Sequence, residues 1–159
     1  TFGVPLCIAT SSGSSGPNGP LLPELVAMHT GTPKVARPGE INAFDNEEFV
    51  EAVKKTGKKQ LLISGIVTEV CFGFCTLSSL EMGYDVFVVT DASGTFNCAS
   101  REAAWTRMVS AGAQLLNWFA VACELHRDWR NDMEGLANLC AKYIPSYGNL
   151  MTANSFKAK

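Results

Sequence analysis

The sequence predicts an α/β fold: a Rossmann-like, three-layer α/β/α arrangement around a mostly parallel sheet. Three observations point to it. Apolar runs of strand length alternate with helix-length segments along the chain, which implies βαβ units. Gln60-Leu-Leu-Ile-Ser-Gly-Ile-Val67 is nearly continuous in apolar residues, the pattern of a strand buried on both faces of a parallel sheet. Glycines fall directly after helix-like segments, at Gly57, Gly83 and Gly112, where a helix C-terminus favours them.

Each element follows from local chemistry. Val4 to Thr10 is a short apolar run with Pro5 near its start, consistent with a buried strand. Ser11 to Pro20 is a loop by composition, and so few residues precede it that it reads as a functional loop within one domain. Pro23 to Met28 is a short helix. Lys34 to Arg37 is a brief strand ended by Pro38 and Gly39. Asn46 can cap a helix running to Thr56, with Glu47 and Glu48 in its first turn and Lys54 and Lys55 in its last, as the helix dipole prefers. A helix from about Cys71 to Met82 follows the Gln60–Val67 run. Asp85 to Thr90 is the next buried strand, Asp91 to Asn97 its loop, and Arg101 to Ser110 another helix. Gln114 to Leu116 is a last short strand. Helices around Trp118 to Leu125 and Met133 to Tyr143 precede a polar tail.

A chain of 159 residues suits a single domain with one sizeable core. It buries roughly two-thirds of the surface its unfolded form exposes, so no disulfide or metal staple is required. Hydrophobic residues make up 47% and charged residues 18%, which excludes a disordered chain. Thirteen basic against fifteen acidic residues give a net charge of −2, which argues against a general nucleic-acid-binding surface. No window has the run of about eighteen apolar residues that marks a membrane span. The six cysteines form no C-x-x-C pair and read as free thiols of a reducing, cytoplasmic compartment. His29 and His126 lie away from any cysteine pair, so neither structural zinc nor another cofactor is expected.

In open parallel sheets, ligands bind beyond the carboxyl ends of the strands, and Arg37, Cys71 and Asp91 all fall at such ends. Cys71 follows a strand and sits in the predicted first turn of a helix, whose unpaired amide N–H groups favour a thiolate. A thiolate attacks carbonyl carbon, and the same amides can hold the oxyanion that forms. Position alone gives equal weight to a small buried hydrophobe, the reading taken for Cys7, Cys75, Cys98, Cys123 and Cys140. By position alone, Arg37 is a strand-end residue pairing with a surface carboxylate.

Gly65-Ile-Val-Thr-Glu-Val-Cys71 resembles the nucleophile motif of the isochorismatase-like cysteine hydrolases. Gly16-Pro-Asn-Gly-Pro20, Ala36-Arg-Pro-Gly39, Asn42-Ala-Phe44, Thr90-Asp-Ala-Ser-Gly-Thr-Phe-Asn97 and Ala122-Cys-Glu-Leu-His-Arg-Asp-Trp-Arg130 join it. Together they resemble the YcaC-like branch of that family, octameric hydrolases of unknown specificity, over essentially the whole chain. The resemblance implies one hydrolase domain over residues 1–159, N-terminally incomplete, with the first strand and helix of the fold ahead of Thr1. It implies oligomer contacts from the C-terminal helical region and tail, residues 126–159.

The same resemblance implies the site. Cys71 is the nucleophile, the Ile66–Val67 peptide is cis, and the amides of Val67 and Cys71 form the oxyanion hole. Asn42, Phe44 and Thr68 bind substrate. Arg37 stands where most of the wider family has lysine and this branch commonly has arginine. A guanidinium can hold a thiolate by charge but does not shuttle protons near neutral pH. The family's third catalytic residue, an aspartate ending the first strand, falls ahead of Thr1. Asp91 matches a loop position and reads as structural or pocket-shaping. The Asp and His metal cluster of the family's nicotinamidases has no counterpart in Ser11 to Pro20, which lacks histidine.

The expectation is therefore a cysteine hydrolase of a small molecule, acting at an amide-type C–N bond through an acyl-enzyme. It needs no cofactor or metal, touches neither nucleic acid nor membrane, and assembles as a homo-oligomer. Two alternatives stand beside it: a non-catalytic assembly or binding protein that retains the fold, and a thiol-redox role for Cys71 and Cys75. The second is disfavoured because an i,i+4 helical pair is poor disulfide geometry.

Overall fold

The computed structural model describes residues 2–11, 16 and 18–157. Residues 12–15 and 17 of the expected loop lie outside the described residues. The chain forms two compact units, one of Gly3–Asn117 and one of Phe2 with the chain from Trp118 onward.

In the first unit strands and helices alternate: β1 (Ile8–Ser11), α1 (Pro23–Met28), β2 (Lys34–Arg37), α2 (Glu47–Lys55), β3 (Gln60–Ile63), α3 (Gly73–Glu81), β4 (Asp85–Val89), α4 (Cys98–Ser110) and β5 (Gln114–Leu116). Every pairing is parallel, as βαβ connection requires. The pairing falls into two ladders rather than one continuous sheet. β1 lies beside β2 with Ile8 opposite Lys34, and β3–β4–β5 form a separate three-stranded ladder with Leu61 opposite Val86 and Val88 opposite Leu115.

Helix ends are set by side chains that the sequence displays. The Asn46 carboxamide accepts the Phe49 N–H at 3.0 Å to start α2, and Asn97 accepts the Ser100 N–H at 2.9 Å to start α4. Because Asn97 is the cap, α4 begins at Cys98 rather than at Arg101. The glycines after α2, α3 and α4 take left-handed backbone angles, φ 64°, 84° and 109°. β1 begins at Ile8 instead of Val4.

The core of this unit is Val88 of β4 with Phe72, Met108 and Ala113, joined by Ile63, Leu80, Ala104, Trp105 and Leu115. α3 and α4 thus cover the three-stranded ladder. β3 departs from expectation. It stops at Ile63, and its residues alternate between exposed and half-buried, with Leu62 41% exposed. The reason is its position: β3 edges its ladder, with β4 as its only strand neighbour among the described residues.

The second unit is helical: α5 (Trp118–His126), α6 (Met133–Tyr143) and α7 (Pro145–Lys157). Ala122, Leu136 and Cys140 are its buried residues. Trp118 meets Phe119 and Tyr143 edge-on, and Trp129 stacks on Tyr147 with ring centroids 6.4 Å apart. The expected polar tail is α7. Its mixed composition carries no helical apolar period, so packing on α6 supports it, and Pro145 at its first position costs no hydrogen bond.

Met108 is 1% exposed and its neighbour Val109 is 50% exposed. Met108→Ala is expected to cost about 2–5 kcal/mol in urea denaturation, and Val109→Ala under about 0.5 kcal/mol. Equal costs would contradict the placement of the core.

Candidate active site

β3 ends at Ile63 and the chain runs through Gly65 into a cis Ile66–Val67 peptide, as the resemblance implies. A π turn, Thr68–Phe72, then precedes α3. The sequence places Cys71 in the first turn of an α-helix; instead it lies in this wider turn, where the Val67 carbonyl accepts N–H groups from both Val70 (3.2 Å) and Phe72 (3.3 Å). Gly73 closes the turn because a Cβ there would sit 3.0 Å from the Thr68 carbonyl. Phe72 is buried in the core, which pins the turn, while Cys71 beside it stays half-buried. Among the described residues the Val67 N–H has no hydrogen-bond acceptor.

The loop after β4 is laced to this turn. The Gly65 N–H donates to Ser93 Oγ (3.3 Å), and the Gly94 N–H donates to the Gly65 carbonyl (3.0 Å). The Thr68 N–H and Oγ1 both donate to the Gly94 carbonyl, at 2.8 and 2.7 Å. Thr95 Oγ1 donates to Glu69 Oε2 (2.9 Å), and the Phe96 N–H donates to Glu69 Oε1 (3.2 Å).

β2 delivers Arg37, whose side chain is buried at 6% exposure. Its Nη1 donates to the carbonyls of Glu40 and Ile41, and its Nε has no partner among the described residues. The surface ion pair that position alone suggests for Arg37 is therefore not formed. The Arg37 charge reaches Cys75. Burial pushes the Cys75 thiol up, the Cys71 thiol adds to this, and the Ala43 N–H, Arg37 and the Phe44 N–H pull the other way. Cys75 Sγ accepts the Ala43 N–H at 3.3 Å.

The three expected substrate-binding residues each make contacts within the fold. Asn42 is buried, and its carboxamide accepts the Phe44 N–H (3.1 Å) and donates to Asp45 Oδ1 (3.2 Å) and Ser78 Oγ (2.9 Å). Thr68 is buried and spends both donors on Gly94. Phe44 is half-buried and meets Phe49 edge-on at 5.5 Å. Asp91 lies exposed in the short 3-10 turn Thr90–Ala92. Among the described residues no three His, Cys, Asp or Glu side chains are grouped to hold a metal. His126 sits at the end of α5 with a buried Nε2 that has no partner among the described residues. The acidic residue inside the nucleophile motif was the one signal in the sequence for Glu69, and the half-burial of Cys75 accords with a packing thiol.

A parallel α/β unit with a thiol on the turn beyond a strand end defines the class of protein. The isochorismatase domain profile matches residues 10–119, and the chain belongs to the isochorismatase family of hydrolases. It is 64% identical over 152 residues to the probable hydrolase YcaC of Escherichia coli K12, covering 96% of this chain and 73% of that protein. The structure of the E. coli YcaC gene product, an octameric hydrolase of unknown specificity, superposes with a TM-score of 0.94 at 62% identity over 98% of this chain and 76% of that one. YcaC of Pseudomonas aeruginosa, solved with hexane-2,5-diol and covalent acrylamide, does so at 0.94 and 60% identity over 97% and 76%. No described helix is long and apolar enough to cross a membrane.

Burial raises the pKa of Cys75 and of Cys140. A raised pKa leaves less thiolate at any given pH, so iodoacetamide should label both slowly near the ordinary thiol pKa of about 8.5 and catch up only above it. Peptide mass spectrometry checks this. Labelling of either one as fast as exposed Cys98 at that pH would contradict the burial.

Proposed function

We propose that the protein is a cysteine hydrolase of a small molecule, cleaving an amide-type C–N bond through an acyl-enzyme on Cys71. The observation that carries this reading is the half-buried Cys71 on a turn pinned by Phe72, next to a Val67 N–H with no acceptor of its own among the described residues. The Cys71 thiolate adds to the carbonyl carbon, and the N–H groups of Val67 and Cys71 hold the oxygen as it becomes anionic. The C–N bond then breaks, the amine leaves with a proton taken from solvent, and water adds to the thioester carbonyl, releasing the acid and returning Sγ as the thiolate. Arg37 favours the thiolate by charge, since a guanidinium keeps its protons near neutral pH. Asn42, Phe44 and Thr68 are the substrate-binding residues of this reading, with Asn42 and Thr68 held in place by their bonds to protein partners.

The covalent acrylamide in the P. aeruginosa relative supports a nucleophile in this branch that reacts with an amide-bearing electrophile. A Cys71–Cys75 redox pair is less suited: the Cys75 thiol is pushed up by burial and engaged by the Ala43 N–H, which makes it a poor partner for exchange. Homo-oligomeric assembly, as in the octameric E. coli relative, completes the reading. Exposed Trp129, Met133, Tyr143 and Leu150 on the helical unit supply apolar surface for it.

A panel of small amides and carbamoyl compounds, read by release of ammonia or amine, tests the proposal. Turnover should saturate with one member and fall at least about 1,000-fold in Cys71→Ala. Full turnover in that variant would remove Cys71 from the mechanism.

A further inference from the structure

Glu69 lies two residues before Cys71, inside the π turn, and both of its carboxylate oxygens are committed to the loop after β4. Oε2 takes the Thr95 hydroxyl and Oε1 takes the next amide, Phe96 N–H, so the carboxylate grips two adjacent residues at once. The residue on the other side of Thr95 is Gly94. Its carbonyl receives two bonds from Thr68, and its N–H binds the Gly65 carbonyl. The Gly94–Phe96 segment therefore holds Gly65 on one side and Thr68 and Glu69 on the other. The two residues bracketed between these anchors are Ile66 and Val67. Gly94 also abuts the Ile66 side chain so closely that a Cβ there would collide with it.

We propose that Glu69 is a positioning residue for the Cys71 chemistry: its two-point clasp on Thr95 and Phe96 fixes the segment that presents the Val67 N–H to a developing oxyanion. The assignment rests on Cys71 acting as the nucleophile. A carboxylate is costly to desolvate, and here it gains charge-assisted bonds from neighbouring donors, which are shorter and stronger than neutral ones. Desolvation pushes the Glu69 carboxyl up, but its own N–H, the Phe96 N–H and the Thr95 hydroxyl outweigh this and hold it below the usual carboxylate range. It therefore stays ionised through the neutral range. Oxyanion donors act only when they sit where charge develops, so an error in the Val67 segment should slow acyl transfer selectively.

Two reactions at the same sulfur separate positioning from general structure. With p-nitrophenyl acetate, the Cys71 thiolate adds to the ester carbonyl, the oxygen becomes anionic, and the C–O bond breaks to release p-nitrophenolate and leave acetyl-Cys71. With iodoacetamide, the thiolate displaces iodide at a methylene carbon and no oxyanion forms. Both rates are read on one preparation, as the p-nitrophenolate burst and as Cys71 alkylation by mass spectrometry, so any shared effect of misfolding or thiol ionisation cancels in their ratio. Glu69→Ala is expected to lower the ratio of acylation to alkylation about 10–100-fold, and Thr95→Val to lower it less. Glu69→Gln should stay within about threefold of the parent ratio. Its amide oxygen can take the Phe96 N–H and its NH₂ can donate to Thr95 Oγ1, whose proton then turns to the Asn97 carbonyl 3.1 Å away. An unchanged ratio in Glu69→Ala, or a Glu69→Gln as impaired as Glu69→Ala, overturns the clasp while leaving Cys71 as the nucleophile. A burst that persists in Cys71→Ala overturns the hydrolase reading and the clasp with it.

Discussion

The bonds from Thr68 to the Gly94 carbonyl, with the Gly94 N–H returned to Gly65, are the constraint on which the site depends. They join the turn after β3 to the loop after β4, two segments far apart in sequence. β3 and β4 are neighbouring parallel strands, so their carboxyl ends lie side by side and the loops leaving them can bond directly. Without this cross-link the Gly65–Thr68 segment would depend on a single strand end. With it, the backbone donors near Cys71 are held from both directions.

The second anchor is apolar. Phe72 is buried against Val88 and Met108, so the residue next to Cys71 belongs to the core of the larger unit. A core side chain adjacent to the proposed nucleophile lets close packing fix the turn while the thiol stays half-buried. The π turn fits this arrangement. One carbonyl, that of Val67, accepts two amides, and Gly73 then lets α3 start without a clash at Thr68. Arg37 enters from the other ladder, buried and held by two main-chain carbonyls, so its charge is delivered at a fixed place rather than on a free side chain.

Much of this was legible in the chain. The helix cap Asn46, the glycines closing α2, α3 and α4, and the span of α6 follow from residue types with specific backbone roles, and the structure has them there. The extents of β1 and β3 were less legible. An apolar run shows that a segment is strand-like but not how many neighbours the strand will have, and β3 at a ladder edge is half-exposed where two-sided burial was expected. The helix α7 was illegible because packing on α6, not periodicity, supports it.

What the sequence determined by itself was the alternation of strands and helices, the Asn46 cap and the glycine stops of α2, α3 and α4, the family motif around Cys71 and the presence of Arg37 at a strand end. These depend on backbone preferences and on short spacings. Tertiary structure alone decided which donors remain available and which are consumed. Asn42 and Thr68 show in the sequence only as polar residues, and the fold engages their polar atoms with Ser78, Asp45, Phe44 and Gly94. Glu69 has no assigned role in the sequence, yet both its oxygens close on Thr95 and Phe96. The reason is physical: a side chain's chemistry is fixed by its type, but whether that chemistry is free depends on hydrogen bonds made across long sequence separations, which only the folded chain brings within reach.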